Sequence, residues 1–287
     1  MQGNNIQDKT PEKFIEIERV IGNKNPKLLK ILPRFIINYL KRILHQDEIN
    51  DFINRNNQFF GLDFVERIVK EFIKELNVSG IENLPAEGRV LIASNHPLGG
   101  LDGVALMHIA GKIRKNILFP VNDLLMNVKN LKSLFIPINK HGSNAQNVKI
   151  INDTFDSDAT ILYFPAGLVS RRQKRGVIHD LEWKKTFISY ARKYERDIIP
   201  VYMEGRNSDF FYNFAKFRVK IGIKSNIEML YLVDEVYKQK DKKINIIFGK
   251  PIPYSLFDKR FSDKEWAAKV KSYVYSLKSD CFTEFKI

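Results

Sequence analysis

From residue 89 onward the chain alternates short apolar runs with longer stretches of helical periodicity, and this alternation restricts the fold more than any other feature. The runs at 89–94, 117–121, 134–138, 160–164, 198–203 and 244–248 have the length and the β-branched and aromatic content of buried strands. Patterns over 102–114, 144–156, 181–195 and 263–279 predict helices between and after them. The expected fold is therefore α/β, a sheet covered by helices on both faces. A chain of 287 residues can bury such a core, and neither an internal repeat nor a low-complexity linker interrupts it. Ligands of open α/β sheets bind outside the carboxyl ends of the strands. That edge is where chemistry is to be sought.

The first 76 residues have a different texture, all helical, so the division is an N-terminal helical, amphipathic basic segment (1–76) and an α/β domain (77–287). In "KLLKILPRFIINYLKRILH" the polar residues at 27, 30, 34, 38, 41 and 45 recur in steps of three or four and define one stripe. Leu28, Ile31, Leu32, Phe35, Ile36, Tyr39, Leu40 and Ile43 cover much of the rest. Pro33 either kinks this helix or opens a second one. A basic stripe beside a wide apolar face suits a helix lying in a membrane interface. A helix packed on the core with its lysines in water has the same composition. A further helix pattern covers 59–76.

Charge bears on the partner. The chain carries 47 Lys and Arg against 33 Asp and Glu, an imbalance that points to nucleic acid, an anionic membrane surface or an acidic protein. Between Arg19 and His45 there is no acidic residue, between Gly103 and Asn152 only Asp123 is acidic, and Arg171 to Arg175 form a compact basic knot. A nucleic-acid binder interleaves such residues with exposed aromatics or carries a reading motif. Neither is present, so a lipid surface explains the charge more economically, with a non-catalytic lipid- or nucleic-acid-binding protein as the alternative. No stretch reaches the roughly 18 apolar residues of a spanning helix. The start shows no signal-peptide pattern, and the single Cys281 fits a reducing compartment. The expected location is cytoplasmic, with peripheral attachment to the cytoplasmic face of the membrane.

At the mouth of the first strong strand stands "LIASNHPLGGLDGVAL", residues 91–106. A positioned imidazole at His96 can take a proton from a hydroxyl. A carboxylate on the other ring nitrogen would hold the tautomer and stabilise the imidazolium. A turn from Pro97 to Leu101 can bring Asp102 back to the ring. Gly99 and Gly100 permit the turn, and their N–H groups could face a developing oxyanion. By itself the pair has ordinary explanations: Asp102 as a helix cap and His96 as a loop histidine.

Three later stretches change that balance. Asn95-His96 followed by Asp102 resembles the first motif of the lysophospholipid (glycerolipid) acyltransferase family. "SLFIPINK" (133–140), "FPAGLVSRR" (164–172) and "IIPVYMEG" (198–205) resemble its second, third and fourth motifs, in the family's order over about 110 residues. The resemblance implies a mixed-sheet α/β acyltransferase in which His96 is the base and Asp102 its orienter. The base would activate a lyso-lipid hydroxyl for attack on an acyl thioester. Coenzyme A or acyl carrier protein would be the co-substrate, with no other cofactor and no covalent enzyme intermediate.

The departures from the family pattern are specific. The His-to-Asp spacing is one residue longer than usual. Ala166 replaces a glutamate, Leu168-Val169 replace Thr-Arg, and Asn139-Lys140 stand where an arginine closes the second motif. "NHPLGGLDG" is similar to the branch that O-acylates lyso-aminolipids such as lyso-ornithine or lyso-glycine lipids, so the acceptor is either of that class or lysophosphatidate-like. Expected substrate-binding residues are Asn95, Gly99, Gly100, Lys140, Ala166, Gly167, Arg171, Arg172 and Glu204, with one of the two arginines on the acceptor's anionic group. Glu204 and Arg206 either line that pocket or pair with each other, and Ser208 and Asp209 cap a following helix. Ser94 lacks a nucleophile elbow. His108, His141 and His179 lack metal-ligand spacing, so no metal is expected.

Overall fold

In the computed structural model, residues 13–121, 125–137, 144–240, 242–279 and 283–286 are described, without the side chains of Lys24 and 144–147. The second-motif residue Lys140 lies outside the described residues, as does Cys281. Four short helices come first among the described residues: α1 (Ile17–Lys24), α2 (Pro26–Ile31), α3 (Arg34–Ile43) and α4 (Gln46–Arg55). They are followed by α5 (Gly61–Phe72) and β1 (Glu75–Ser79). The α/β alternation then runs β2 (Val90–Ser94), α6 (Gly100–Ile113), β3 (Ile117–Val121), β4 (Phe135–Pro137), α7 (Asn144–Asp156) and β5 (Thr160–Tyr163). A two-residue hairpin, β6 (Arg171–Arg172) and β7 (Ile178–His179), precedes α8 (Thr186–Lys193) and β8 (Asp197–Met203). The last elements are α9 (Asp209–Lys220), α10 (Leu232–Gln239), β9 (Lys243–Phe248) and α11 (Asp263–Ser276).

The sheet has the order β1-β9-β8-β2-β5-β3-β4. It is mixed: β8, β2, β5, β3 and β4 run parallel, and the β8–β9 pairing is antiparallel. All six expected strands are present. Alternation on β2 explains the two layers. Val90 and Ile92 face a core shared with Phe64 and Val65 of α5 and Ala105 and Leu106 of α6. Leu91 and Ala93 face a second core with Phe187 and Ile188 of α8 and Trp266 and Val270 of α11. Helices thus cover both faces, and β2 is buried throughout, as a central parallel strand must be.

β1 was not expected. The helix pattern over 59–76 obscures it, but Glu75-Leu76-Asn77-Val78-Ser79 alternates polar and apolar, and the structure pairs it in parallel with β9. The expected division at 76/77 falls inside this strand, and α5 packs into the same core as α6. Helix α8 is shorter than the 181–195 expectation, beginning at Thr186.

Arg196 is fully buried, with no carboxylate partner among the described residues. Its guanidinium donates to the carbonyls of Phe155 at 2.7 Å, Ala159 at 2.6 Å and Val90 at 3.2 Å. It ties the end of α7 to β2, and burial pushes its pKa down to about 10.

The basic apolar segment of residues 27–45 is not one helix. Pro33 is extended (φ −61°, ψ 146°) and separates α2 from α3. Ile43 is buried and Lys41 bridges Glu18 at 2.5 Å, whereas Ile31 is 76% and Phe35 69% exposed beside exposed Lys27, Lys30 and Arg34. One side packs on the protein, and among the described residues the other does not. Among the described residues no helix is long and apolar enough to cross a membrane.

Candidate active site

The parallel strands β2, β5 and β8 end at one edge of the sheet, and the loops leaving them meet there. After β2, Asn95 turns its carboxamide onto β8: Nδ2 donates to the Met203 carbonyl at 2.8 Å, and Oδ1 accepts the Met203 N–H at 2.7 Å. Asn95, expected among substrate-binding residues, is a buried brace between two strand ends.

His96 follows. Its Nδ1 lies 2.8 Å from Oδ2 of Asp102, which also accepts the N–H groups of Leu98 at 2.8 Å and Gly99 at 3.0 Å. The extra residue in the turn is accommodated at Gly99, whose φ of +85° only glycine adopts without strain. Asp102 occupies the third position of α6, so it closes the helix end and holds the imidazole at once. The Gly99 N–H is thereby committed to Asp102 and is not free to face an oxyanion, which corrects that expectation. Gly100 is exposed, with open space where a side chain would stand.

Asp102 is fully buried, and burial pushes its carboxyl above the ordinary carboxylate range, opposed by the bond and charge of His96 and by the two backbone donors. The His96 ring stacks on Phe164, the residue after β5, with centroids 4.2 Å apart and planes 13° apart. Phe119 of β3 meets Phe164 edge-on. Among the described residues Nε2 of His96 has no partner, and the side chain is 17% exposed. A base with one nitrogen anchored and the other open is the arrangement a proton transfer from a hydroxyl requires.

Residues that sequence reasoning missed hold this loop in place. The His96 N–H donates to Asp180 Oδ1 at 3.2 Å, and the same carboxylate accepts Ser170 Oγ at 2.5 Å and Trp183 Nε1 at 2.8 Å. The Ser170 N–H in turn donates to the His96 carbonyl at 2.7 Å. Asn207 Nδ2 donates to the Pro97 carbonyl at 3.2 Å. Gly205 leaves the space that Leu98 fills, since a Cβ there would come within 2.7 Å of the leucine side chain. Asp180 was detectable in principle: it is the only acidic residue between Asp158 and Glu182.

The third-motif residues divide. Ala166 is buried in the apolar cluster of Trp183 and Phe187. Gly167 (φ +66°) is exposed beneath the Lys184 ammonium. Arg171 Nη2 pairs with fully buried Glu228 at 2.7 Å, and Glu228 also receives the guanidinium of Arg218. Burial lowers the pKa of Arg171, opposed by Glu228. Arg172 pairs with Asp209 and donates to Asn213 at 3.0 Å. Both arginines are thus engaged by protein groups, although Arg172 Nε is buried without a partner among the described residues. Glu204 accepts from Asn245 Nδ2 of β9 at 2.7 Å, while Arg206 pairs with Asp209, so the two do not pair with each other. Ser208 caps α9 as expected, accepting the Phe211 N–H at 3.3 Å. Ser94 is buried with its hydroxyl on the Asn95 carbonyl.

A histidine–aspartate dyad at the carboxyl edge of a mixed α/β sheet is accompanied by a match, over residues 19–282, to the family model described as acyltransferase, and the chain belongs to that family. It is 48% identical over 266 residues to the lyso-glycine lipid O-acyltransferases of Bacteroides thetaiotaomicron and Phocaeicola vulgatus, covering 92% of this chain and 97% and 95% of theirs. Among solved structures it is similar to the 1-acyl-sn-glycerophosphate (LPA) acyltransferase of Thermotoga maritima, with a TM-score of 0.48 and 15% identity over 93% of each chain.

Proposed function

We propose that the protein transfers a fatty acyl group from a thioester donor, acyl carrier protein or coenzyme A, to the hydroxyl of a lyso-aminolipid of the lyso-glycine type. The observation that carries this reading is the His96–Asp102 contact with the imidazole's second nitrogen left open. His96 Nε2 takes the proton of the acceptor hydroxyl as its oxygen bonds to the thioester carbonyl carbon. The tetrahedral adduct collapses with cleavage of the C–S bond, and the imidazolium returns its proton to the leaving thiolate. Asp102 supports the imidazolium and the tautomer throughout.

The lyso-aminolipid acceptor is favoured over a lysophosphatidate because two relatives at 48% identity carry that activity in their names. It is also favoured because Ala166 and Leu168-Val169 replace polar and charged residues of the family's third motif. Acting on a lipid, the protein would sit on the cytoplasmic face of an anionic membrane through the exposed side of α2 and α3, where Leu28, Ile31 and Phe35 lie beside Lys27, Lys30 and Arg34. The test is incubation of purified protein with acyl carrier protein or coenzyme A thioesters and a panel of lyso-lipids, read by mass spectrometry. Formation of the diacylated aminolipid is expected; acylation of lysophosphatidate alone would overturn the acceptor assignment.

A further inference from the structure

The C-terminal end of α9 and the turn after it expose apolar side chains that the proposed chemistry does not use. Phe217 is 55%, Val219 63% and Ile221 52% exposed around the C-terminal end of α9, and Ile223 is 36% exposed in the turn after it. Lys216, Lys220 and Lys224 interleave with them, all exposed, and none bonds an acidic group among the described residues. No acidic residue lies between Asp209 and Glu228 in the chain, and Glu228 is itself buried between Arg171 and Arg218.

The turn is not a loose one. Arg218 donates to the carbonyl of Ile223 at 3.0 Å and to that of Lys224 at 3.5 Å, and pairs with Asn226 and Glu228. Glu228 holds Arg171, which adjoins Ser170, and Ser170 donates its N–H to the His96 carbonyl. The turn is therefore built onto the framework of the catalytic loop. It also continues toward the N-terminal helices: the hydroxyls of Tyr231 and Tyr39 lie 2.5 Å apart, and Tyr39 is on the helix that exposes Phe35.

We propose that residues 217–224 form a second membrane-docking element, inserting Phe217, Val219, Ile221 and Ile223 into an anionic lipid surface while Lys216, Lys220 and Lys224 meet its headgroups. A helix end that exposes apolar side chains around its last turn and in the turn after it, among lysines without an acidic partner among the described residues, matches a surface that is apolar below and negative above. A nucleic acid would match the lysines but leave the four apolar side chains in water. The Arg171–Glu228–Arg218 link then gives the docked turn a fixed position relative to His96. The proposal rests on the lipid-enzyme reading only for the identity of the surface.

The test uses the full chain with Cys281→Ser and Ile221→Cys, labelled with a polarity-sensitive dye. Vesicles of phosphatidylcholine with phosphatidylglycerol should shift its emission to the blue, pure phosphatidylcholine much less, and added salt should reverse the effect. In unlabelled protein, Phe217→Asp with Ile223→Asp should weaken vesicle partitioning by about tenfold or more. The same variant should still process a lyso-lipid dispersed in detergent micelles at the parental rate. An unshifted dye on protein that sediments with the vesicles would overturn the proposal. So would a shift that appears on concentrating the protein without lipid, which would make the face a contact between two copies. The dye readout requires no acyl transfer, so failure of the proposed chemistry leaves it standing.

Discussion

One carboxylate oxygen of Asp102 receives His96 Nδ1 at 2.8 Å, while the other, Oδ1, is buried without a partner among the described residues. All the polar engagement of a buried acid is thus concentrated on the side that faces the imidazole and the turn. His96→Ala should lower kcat by ~10²–10⁴-fold, the range for loss of a general base. Asp102→Asn should be severely impaired as well. The double variant should be little worse than the more impaired single one, as the proposed mechanism has both groups serve one proton transfer. Single-turnover acyl transfer measures this, and near-parental kcat in folded His96→Ala protein would remove His96 from the mechanism.

The raised pKa of Asp102 has a consequence for stability. A carboxyl whose folded pKa lies above its unfolded value contributes stability that is complete below the unfolded pKa and is lost as pH rises through the folded one. The amide of the Asp102→Asn variant does not titrate. The difference in Tm, variant minus parent, should therefore grow in the variant's favour as pH climbs from the ordinary carboxylate range upward, even though activity is lost. Thermal melts at several pH values check the slope, and a flat difference contradicts it.

Glu228 has no exposure and balances two guanidinium groups, so Glu228→Gln leaves positive charge buried without compensation. Breaking such a network costs about 3–5 kcal/mol. Urea denaturation should show a loss of that order. Arg171→Ala should likewise act on stability, and in the folded fraction the KM for the acceptor should be unchanged.

Gly205→Ala should impair catalysis through the backbone. The new Cβ would press on Leu98, whose N–H bonds Asp102, and so displace the turn that seats His96. A shift of ~1 Å can cost ~10²-fold in rate. Adding Leu98→Ala should relieve the overlap and recover part of the lost kcat; no recovery would argue for a different cause.

On the N-terminal helices the charges are not equivalent. Lys41 is held by Glu18, whereas Lys27, Lys30 and Arg34 are exposed without an acid partner among the described residues. Each basic residue near an anionic surface contributes about 1 kcal/mol. Reversing those three to Glu should release the protein from phosphatidylglycerol vesicles in a sedimentation assay, whereas Lys41→Glu alone should act mainly on folding.

What the sequence alone determined was local and periodic. Six strands were legible because each is an apolar run set off by its flanks, and His96 and Asp102 were legible because both stand in one turn at a strand's mouth. The strand Glu75–Ser79 was not, since its alternation follows a helix pattern without a break and its partner lies in β9. Tertiary structure alone decided what the remaining polar groups do. Asn95 meets Met203 across 108 residues, the His96 N–H meets Asp180 across 84, and Arg171 meets Glu228 across 57. An arginine beside a catalytic motif has the same sequence context whether it waits for a ligand or neutralises a buried glutamate. Only folding brings the glutamate to it, because a buried charge takes whichever partner the packed chain supplies.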